Sequence, residues 1–404
     1  MDREQLAQEW AARIARLQQA MAPEGLDALL VTQHVDIYYT SGSMQAGYVL
    51  IPAHGEPTYY VRRSVDRAGR EAYIRVAPLG SLRRLGETLA ADYPELFGAG
   101  GAAVRVGAEL DVLPAQQYLK LAELLRTGCG AELVDGSALL RTARMRKSAY
   151  EVGRIEAAAA AAAEALTHAL PLLREGVTEL EWMAELEYEL RRRGHVGVMR
   201  MRAYNQEIMT GMVGAGAAAA EPSAFDGPAG GLGLGPAAPQ SVSRRPIRRG
   251  EPILIDVGCC IDGYVIDQTR TAVIGELPGH LAAAYASSER LLRAAESRLL
   301  PGTPCSELYV HALAEAEEAG LAGHFMGWNR DQARFLGHGI GLEVDEWPVL
   351  ARGFDLSLEP GMVLAVEPKF TFPGEGVVGI ENTYLITPQG PRALTRSPER
   401  LIVL

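Results

Sequence analysis

The sequence predicts a protein of mixed α/β (α+β) class in two domains, the second the larger, and three observations carry that prediction. From the amino terminus to about Leu140, helical and strand patterns alternate, as they do when helices cover a largely buried sheet. A polar, basic stretch from Thr142 to Lys147 then precedes a capped helix, which puts the boundary between an N-terminal domain of residues 1–143 and a second domain of residues 144–404. In the second domain, two β-branched, apolar runs flank Asp262-Gly263, a strong hairpin signal because a type I′ turn needs φ > 0 at both central residues. With 404 residues, 48% of them hydrophobic, the chain can bury more than one core.

Residues 1–22 read as a helix, with Leu6, Trp10, Ile14, Leu17 and Met21 recurring at steps of three and four. Residues 25–32 read as a buried strand, residues 34–39 lead into a glycine-containing loop, and residues 47–51 and 58–61 read as short strands. His34 and His54 are expected to be loop or surface residues rather than ligands. Ser148 and Glu151 form a capping box, and Pro171 and Gly176 split the following helical stretch into residues 148–170 and about 178–193. Between residues 209 and 250 the composition shifts to Gly, Ala and Pro, which predicts a loop or irregular hairpin lining a site. Helices are expected over residues 279–300 and 304–320, and strands over 362–370, 376–387 and 400–404.

The net charge of −11 argues against nucleic acid as a partner, which would call for a basic patch or stripe. The first twenty residues are a charged amphipathic helix and not a signal peptide, and the longest strictly apolar run, Ala157–Ala163, is far too short to cross a membrane. The four cysteines, Cys129, Cys259, Cys260 and Cys305, lack C-x-x-C spacing, so neither a zinc-thiolate cage nor a disulfide framework is expected. The expectation is a soluble, acidic, cytoplasmic protein.

If Asp262-Gly263 is the turn, Asp256 faces Thr269 and Asp267 faces Gly258, making the two aspartates diagonal neighbours on one face, roughly 7–8 Å apart. Two carboxylates there repel and are costly to desolvate, and a pair of divalent ions about 3.5–4 Å apart would answer that cost; solvated or turn-capping aspartates are the alternative. Further donors follow. His338 stands between Gly337 and Gly339, as a ligand or as a surface imidazole in a glycine-rich turn. Glu367 and Glu381 sit in apolar strand sequence, where a carboxylate is seldom left unpaired. The set of Asp256, Asp267, His338, Glu367 and Glu381 is oxygen-rich with one imidazole and no thiolate, which suits two divalent ions, manganese first, with cobalt or zinc also compatible.

These residues fall in motifs that resemble the creatinase/prolidase/aminopeptidase P family of pita-bread metalloenzymes. The motifs are Ile255-Asp256-Val257-Gly258, Asp267-Gln268-Thr269-Arg270-Thr271, Gly337-His338-Gly339-Ile340-Gly341-Leu342, Val366-Glu367-Pro368 and Gly379-Ile380-Glu381-Asn382. Residues 13–62 also resemble the family's amino-terminal domain, as does Arg146-Lys147-Ser148 at the opening of the catalytic domain. The resemblance implies a pita-bread catalytic domain of pseudo-twofold halves, preceded by a smaller creatinase-type α/β domain, in a homodimer. It implies that Asp256 chelates one ion, Asp267 and Glu381 bridge, and His338 and Glu367 hold the second. Two metals would acidify a bridging water for attack on an amide carbon, with Glu367 shuttling the proton.

Several positions depart from the family pattern. Its accessory histidines are replaced by Pro239 or Gln240, by Arg334 and by Asp345, its arginine before the last ligand is Gly379, and the acid after it is Asn382. Arg334, or Arg200 or Arg202 beside Tyr204, is a candidate to grip a substrate carboxylate, and Asp345 a cationic group. The implied activity is hydrolysis of a C–N amide bond in a small peptide, as by an Xaa-Pro dipeptidase or aminopeptidase. The alternatives are a hydrolase or lyase acting on a small non-peptide amide, creatinase-like or ectoine hydrolase-like, and a non-catalytic binding module.

Overall fold

The computed structural model describes residues 2–98, 103–204 and 208–404, and the chain divides into two compact units, Met1–Arg144 and Met145–Leu404. In the first unit, Asp2 caps the helix Arg3–Met21 by accepting from Gln5 N, while the Gln5 side chain accepts from Asp2 N. Trp10, Ile14, Leu17 and Met21 form its buried stripe. The unit's sheet has six strands, in the order Arg75–Pro78, Thr58–Val61, Gly47–Pro52, Ala28–Val31, Arg105–Ala108 and Glu132–Asp135. Residues 34–39 form the helix His34–Ser41, capped by the Gln33 side chain and closed by Gly42 at φ 83°, and so lead into the glycine-containing loop of residues 42–46. Val35, Ile37, Tyr38 and Tyr39 favour strand by intrinsic preference, and burial of that helix face overrides it.

The same unit buries Glu109, whose carboxylate accepts from Thr32 N and Gln33 N. Burial and the neighbouring Asp36 push its pKa up to about 7. A raised folded pKa means that the native state holds a proton the unfolded state has lost. The stability contributed is therefore full below about pH 4.3 and is lost as pH rises toward 7, by at most about 1.4 kcal/mol per pH unit. Glu109→Gln is expected to flatten this slope in urea unfolding between pH 5 and 7; an unchanged slope would assign it to other groups.

In the second unit, capping boxes at Ser148 and Thr178 start the helices Ala149–Ala169 and Glu179–Arg192. The first of these buries Ala158, Ala159, Ala161, Ala162 and Ala165, small side chains that let it lie close on the hairpin. The hairpin strands are Ile253–Ile261 and Tyr264–Val273, and Asp262 and Gly263 adopt φ of 51° and 89°, as the type I′ turn requires. Asp256 pairs with Thr269 and Gly258 with Asp267. A strand not anticipated, Gly211–Ala215, adds to the hairpin edge with Met212 opposite Asp256. Its Gly- and Ala-rich sequence carries almost no β preference, and the pairing edge supplies what composition lacks. Ile402–Val403 completes a four-stranded sheet.

A second, five-stranded sheet has the order Glu346–Ala351, Phe335–Gly339, Val363–Val366, Asn382–Thr387 and Gly390–Ala393. The helices Gly279–Arg298 and Cys305–Glu318 share a core with it. The expected strands 362–370 and 376–387 are each broken in two. Lys369–Phe372 and Gly376–Gly379 leave to form a separate two-stranded ribbon. The first break falls at Glu367-Pro368, where proline has no N–H for the ladder. The second falls at Ile380-Glu381, where Glu381 N donates instead to Thr269 O at 3.1 Å and ties the five-stranded sheet to the hairpin. Among the described residues, no helix is long and apolar enough to cross a membrane.

Candidate metal centre

The breaks in the strands put the carboxylates together. Glu367 and Glu381 stand where their strands end, free of the strict alternation that would send one of them to the wrong face, and both face Asp256 and Asp267 on the hairpin. His338 lies in the strand Phe335–Gly339 and not in a turn; register shifts on both sides of it re-aim the side chains there. The flanking glycines serve backbone approach. A Cβ on Gly337 would stand 2.1 Å from Ala365 O, and one on Gly339 would stand 2.3 Å from Trp347 O.

Two groups of donors result, Asp267 with His338 and Glu381, and Asp256 with Glu367 and Glu381, the ligand atoms of each within 4.8 Å of one another. All five side chains of the expected set are thus brought together. His338 Nδ1 lies 3.0 Å from Gly339 O and 3.2 Å from Asp345 Oδ1, while Nε2 points inward, 3.6 Å from Glu367 Oε1. An Nδ1–H shared by those two acceptors leaves the Nε2 lone pair for a cation, the arrangement in which an outer carboxylate orients a ligand imidazole.

The electrostatics show surplus negative charge. Burial alone would lower the His338 pKa, but Asp345, Glu367 and Glu381 outweigh it and raise it to about 9. Burial, with the Glu381, Asp256 and Glu367 carboxylates, holds Asp267 well above the usual carboxylate range. Burial also raises Glu367.

A residue that the sequence reading passed over sits inside this cluster. Lys369 Nζ lies 2.6 Å from Glu367 Oε2, 3.1 Å from Asp256 Oδ2 and 3.2 Å from Glu381 Oε2, on a side chain with 0% exposure. The available signal was a lysine between Pro368 and Phe370, two residues after Glu367, in largely apolar strand sequence. Glu381 Oε2 is committed to Lys369 and, at 2.7 Å, to Thr269 Oγ1, whereas the buried Glu381 Oε1 has no hydrogen-bond partner. An orphaned buried carboxylate oxygen beside Asp267 and His338 fits a divalent cation at that group. The other group already encloses an ammonium.

Above the cluster is a cavity whose wall includes Met199, Met212, Phe225, Gln240, Phe335 and Asp345. Of the anticipated substrate contacts, Asp345 is on this wall, half-exposed, and Gln240 is on it where Pro239 is not. The arginines anticipated as substrate contacts are not among the residues of this wall. Arg334 is exposed, just ahead of its strand and near Tyr309, and only its neighbour Phe335 reaches the cavity. Arg200, Arg202 and Tyr204 are off the wall, Arg200 lying near Cys260 and Tyr204 being 90% exposed; Met199 takes the place given to them.

A buried arginine and a buried ion pair brace the centre. Arg270 donates to Glu381 O and, at 2.9 Å, to Asn382 Oδ1. Lys147 Nζ holds Glu346 Oε2 at 2.9 Å, and Glu346 Oε1 accepts from Leu342 N and Glu343 N, fixing the turn that presents Asp345. Asp345→Asn is expected to weaken manganese binding by about 10–100-fold, as loss of an imidazole's outer carboxylate does elsewhere. Isothermal titration would read it, and an unaltered affinity would mean that His338 is held without Asp345.

Comparison with known proteins identifies the family. Residues 153–388 match the model of metallopeptidase family M24, and residues 13–146 match that of the creatinase/prolidase N-terminal domain. The chain is 30% identical to the probable dipeptidase PepE of Mycobacterium tuberculosis over 98% of its own length and 97% of that protein's. It superposes on the Xaa-Pro dipeptidase from Bacillus anthracis with a TM-score of 0.82 at 27% identity, covering 98% of this chain and 100% of that one. For the prolidase from Pyrococcus horikoshii the TM-score is 0.77, again at 27% identity, over 97% and 100%. With a creatinase-type N-terminal domain, a pita-bread domain and a carboxylate–histidine cluster at its centre, the chain belongs to metallopeptidase family M24 and is a metallopeptidase-type hydrolase.

Proposed function

We propose that the protein hydrolyses the C–N amide bond of a small peptide of Xaa-Pro type. The observation that carries the reading is the convergence of Asp256, Asp267, His338, Glu367 and Glu381 beneath a cavity walled partly by Met199, Met212, Phe225 and Phe335. Relatives named Xaa-Pro dipeptidase and prolidase support it. Asp267, His338 and Glu381 would hold a divalent ion, manganese by its preference for carboxylate, with cobalt or zinc as other occupants. When bound, such an ion supplies a Lewis acid for the carbonyl and acidifies a water. Glu367, with Oε2 anchored on Lys369 and Oε1 turned toward His338, carries the proton from the attacking water to the departing nitrogen. The apolar wall excludes water and packs a compact, non-polar residue such as proline.

A second reading, a small non-peptide amide as substrate, is favoured by one observation. Among the described residues lining the cavity, His338 is the sole imidazole, so an oxyanion meets fewer neutral donors than several histidines would offer. A panel of Xaa-Pro dipeptides, Xaa-Pro-Xaa tripeptides and small cyclic amides, assayed on protein loaded in turn with manganese, cobalt and zinc, separates the two. Xaa-Pro dipeptides are expected to be turned over. Metal-loaded protein that leaves every proline peptide intact would remove the peptidase reading.

A further inference from the structure

We propose that Lys369 is a built-in cation standing in the place of one of the two metal ions, so that the centre takes a single divalent ion, at Asp267, His338 and Glu381. The inference rests on the metal-centre reading above and concerns what this chain's own residues have done to it.

The ammonium is fully engaged. A lysine has three N–H donors, and Lys369 Nζ faces three carboxylates, those of Glu367, Asp256 and Glu381, at 2.6, 3.1 and 3.2 Å. Those three residues are one of the two groups, among the described residues, able to hold a metal ion. A divalent ion would need the same oxygens at about 2.0–2.2 Å, from the space that Nζ fills.

The side chain is built into this position and has no ready route out of it. Phe370 and Phe372 point into the hydrophobic core, so strand alternation commits Lys369 and Thr371 to the opposite face. The stem runs across Gly379, its cross-strand partner, and a Cβ at that position would stand 2.5 Å from Lys369 Cγ. The absence of a side chain at residue 379 is what makes room for the stem. Removing the ammonium from its three partners would leave it buried without a counter-charge, since the residue has 0% exposure.

Charge and orphaned valence agree on what remains. The four carboxylates bring about −4; one ammonium and one divalent ion reduce this to about −1, whereas a second divalent ion would stand within contact distance of the ammonium. Glu381 divides its oxygens accordingly. Oε2 faces Lys369, and the unpartnered Oε1 is left for an ion shared with Asp267 and His338.

The test is manganese stoichiometry on the full chain, by elemental analysis after equilibrium dialysis, with the electron paramagnetic resonance spectrum of the bound ion. The wild-type protein is expected to bind one Mn2+ per chain with the six-line spectrum of an isolated ion. Lys369→Met, which keeps the stem and removes the charge, is expected to bind two and to show a spin-coupled spectrum. Two coupled ions in the wild type would overturn the role of Lys369 and leave the hydrolase reading standing. A single ion in a folded Lys369→Met would also overturn it, because something other than the ammonium would then exclude the second. No bound ion at saturating Mn2+ would remove the metal-centre reading together with this inference. The wild-type count and spectrum decide the matter even where the variant does not fold.

Discussion

Glu367→Gln is expected to lower kcat/KM for an Xaa-Pro substrate by about 10²–10⁴-fold, the range that a positioned proton-transfer group contributes. The substitution preserves shape, and the amide oxygen can still accept from Lys369, which contacts Glu367 Oε2 at 2.6 Å. What it removes is the capacity to take and return a proton, in a carboxylate whose pKa burial already raises toward the working range. The loss should fall on kcat with KM little changed, since the group acts after substrate has bound. Steady-state kinetics with parallel measurement of manganese content would show it. A loss smaller than tenfold with the metal retained would take Glu367 out of the chemistry.

Asp267→Asn is expected to have opposite effects on metal binding and on metal-free stability. Loss of a direct carboxylate donor should cost the manganese affinity more than the about 10–100-fold typical of outer-sphere changes. Without metal, however, Asp267 is a burden. Burial and the carboxylates of Glu381, Asp256 and Glu367 hold its folded pKa well above the unfolded value of about 3.9. A raised folded pKa means that its contribution is greatest in acid and declines as pH rises through the folded value. The metal-free variant should therefore melt higher than metal-free wild type at pH 8, by about 2–4 °C for each kcal/mol recovered, with the difference shrinking toward pH 4. With saturating manganese the order should reverse, because only the wild type gains the binding free energy. Calorimetry in chelator and in manganese would measure both. Equal melting temperatures in chelator at pH 8 would mean that the carboxylates are already neutralised by the cations beside them, Lys369 among these.

Much of this was readable from local sequence. The Asp262-Gly263 turn sets the register that brings Asp256 opposite Thr269 and Asp267 opposite Gly258, and that register is the one observed. Ser148 begins the helix it was suited to cap, and the second helix, Glu179–Arg192, starts where the break at Gly176 placed it. Such signals are legible because turn conformation, caps and periodicity act within a few residues along the chain. Gln33 as a helix cap and the Gly211–Ala215 strand were not, since in each a weak local preference yields to packing from elsewhere.

Within the centre the same division holds. The sequence alone singled out the five side chains that meet at the centre, because carboxylates and an imidazole set in apolar or glycine-rich strands imply a compensating charge. Which cation compensates them was decided only by tertiary structure. Proline 368 breaks one strand, the next pairs Lys369 against Gly379, and the stem crossing that glycine carries the ammonium into the cluster. The placing of Met199 rather than Arg200, Arg202 or Tyr204 on the cavity wall, and of Asp345 against His338, is likewise tertiary. Sequence specifies which groups are too costly to leave unpaired in a core; only pairing across strands and the space between backbones decide which groups become their partners.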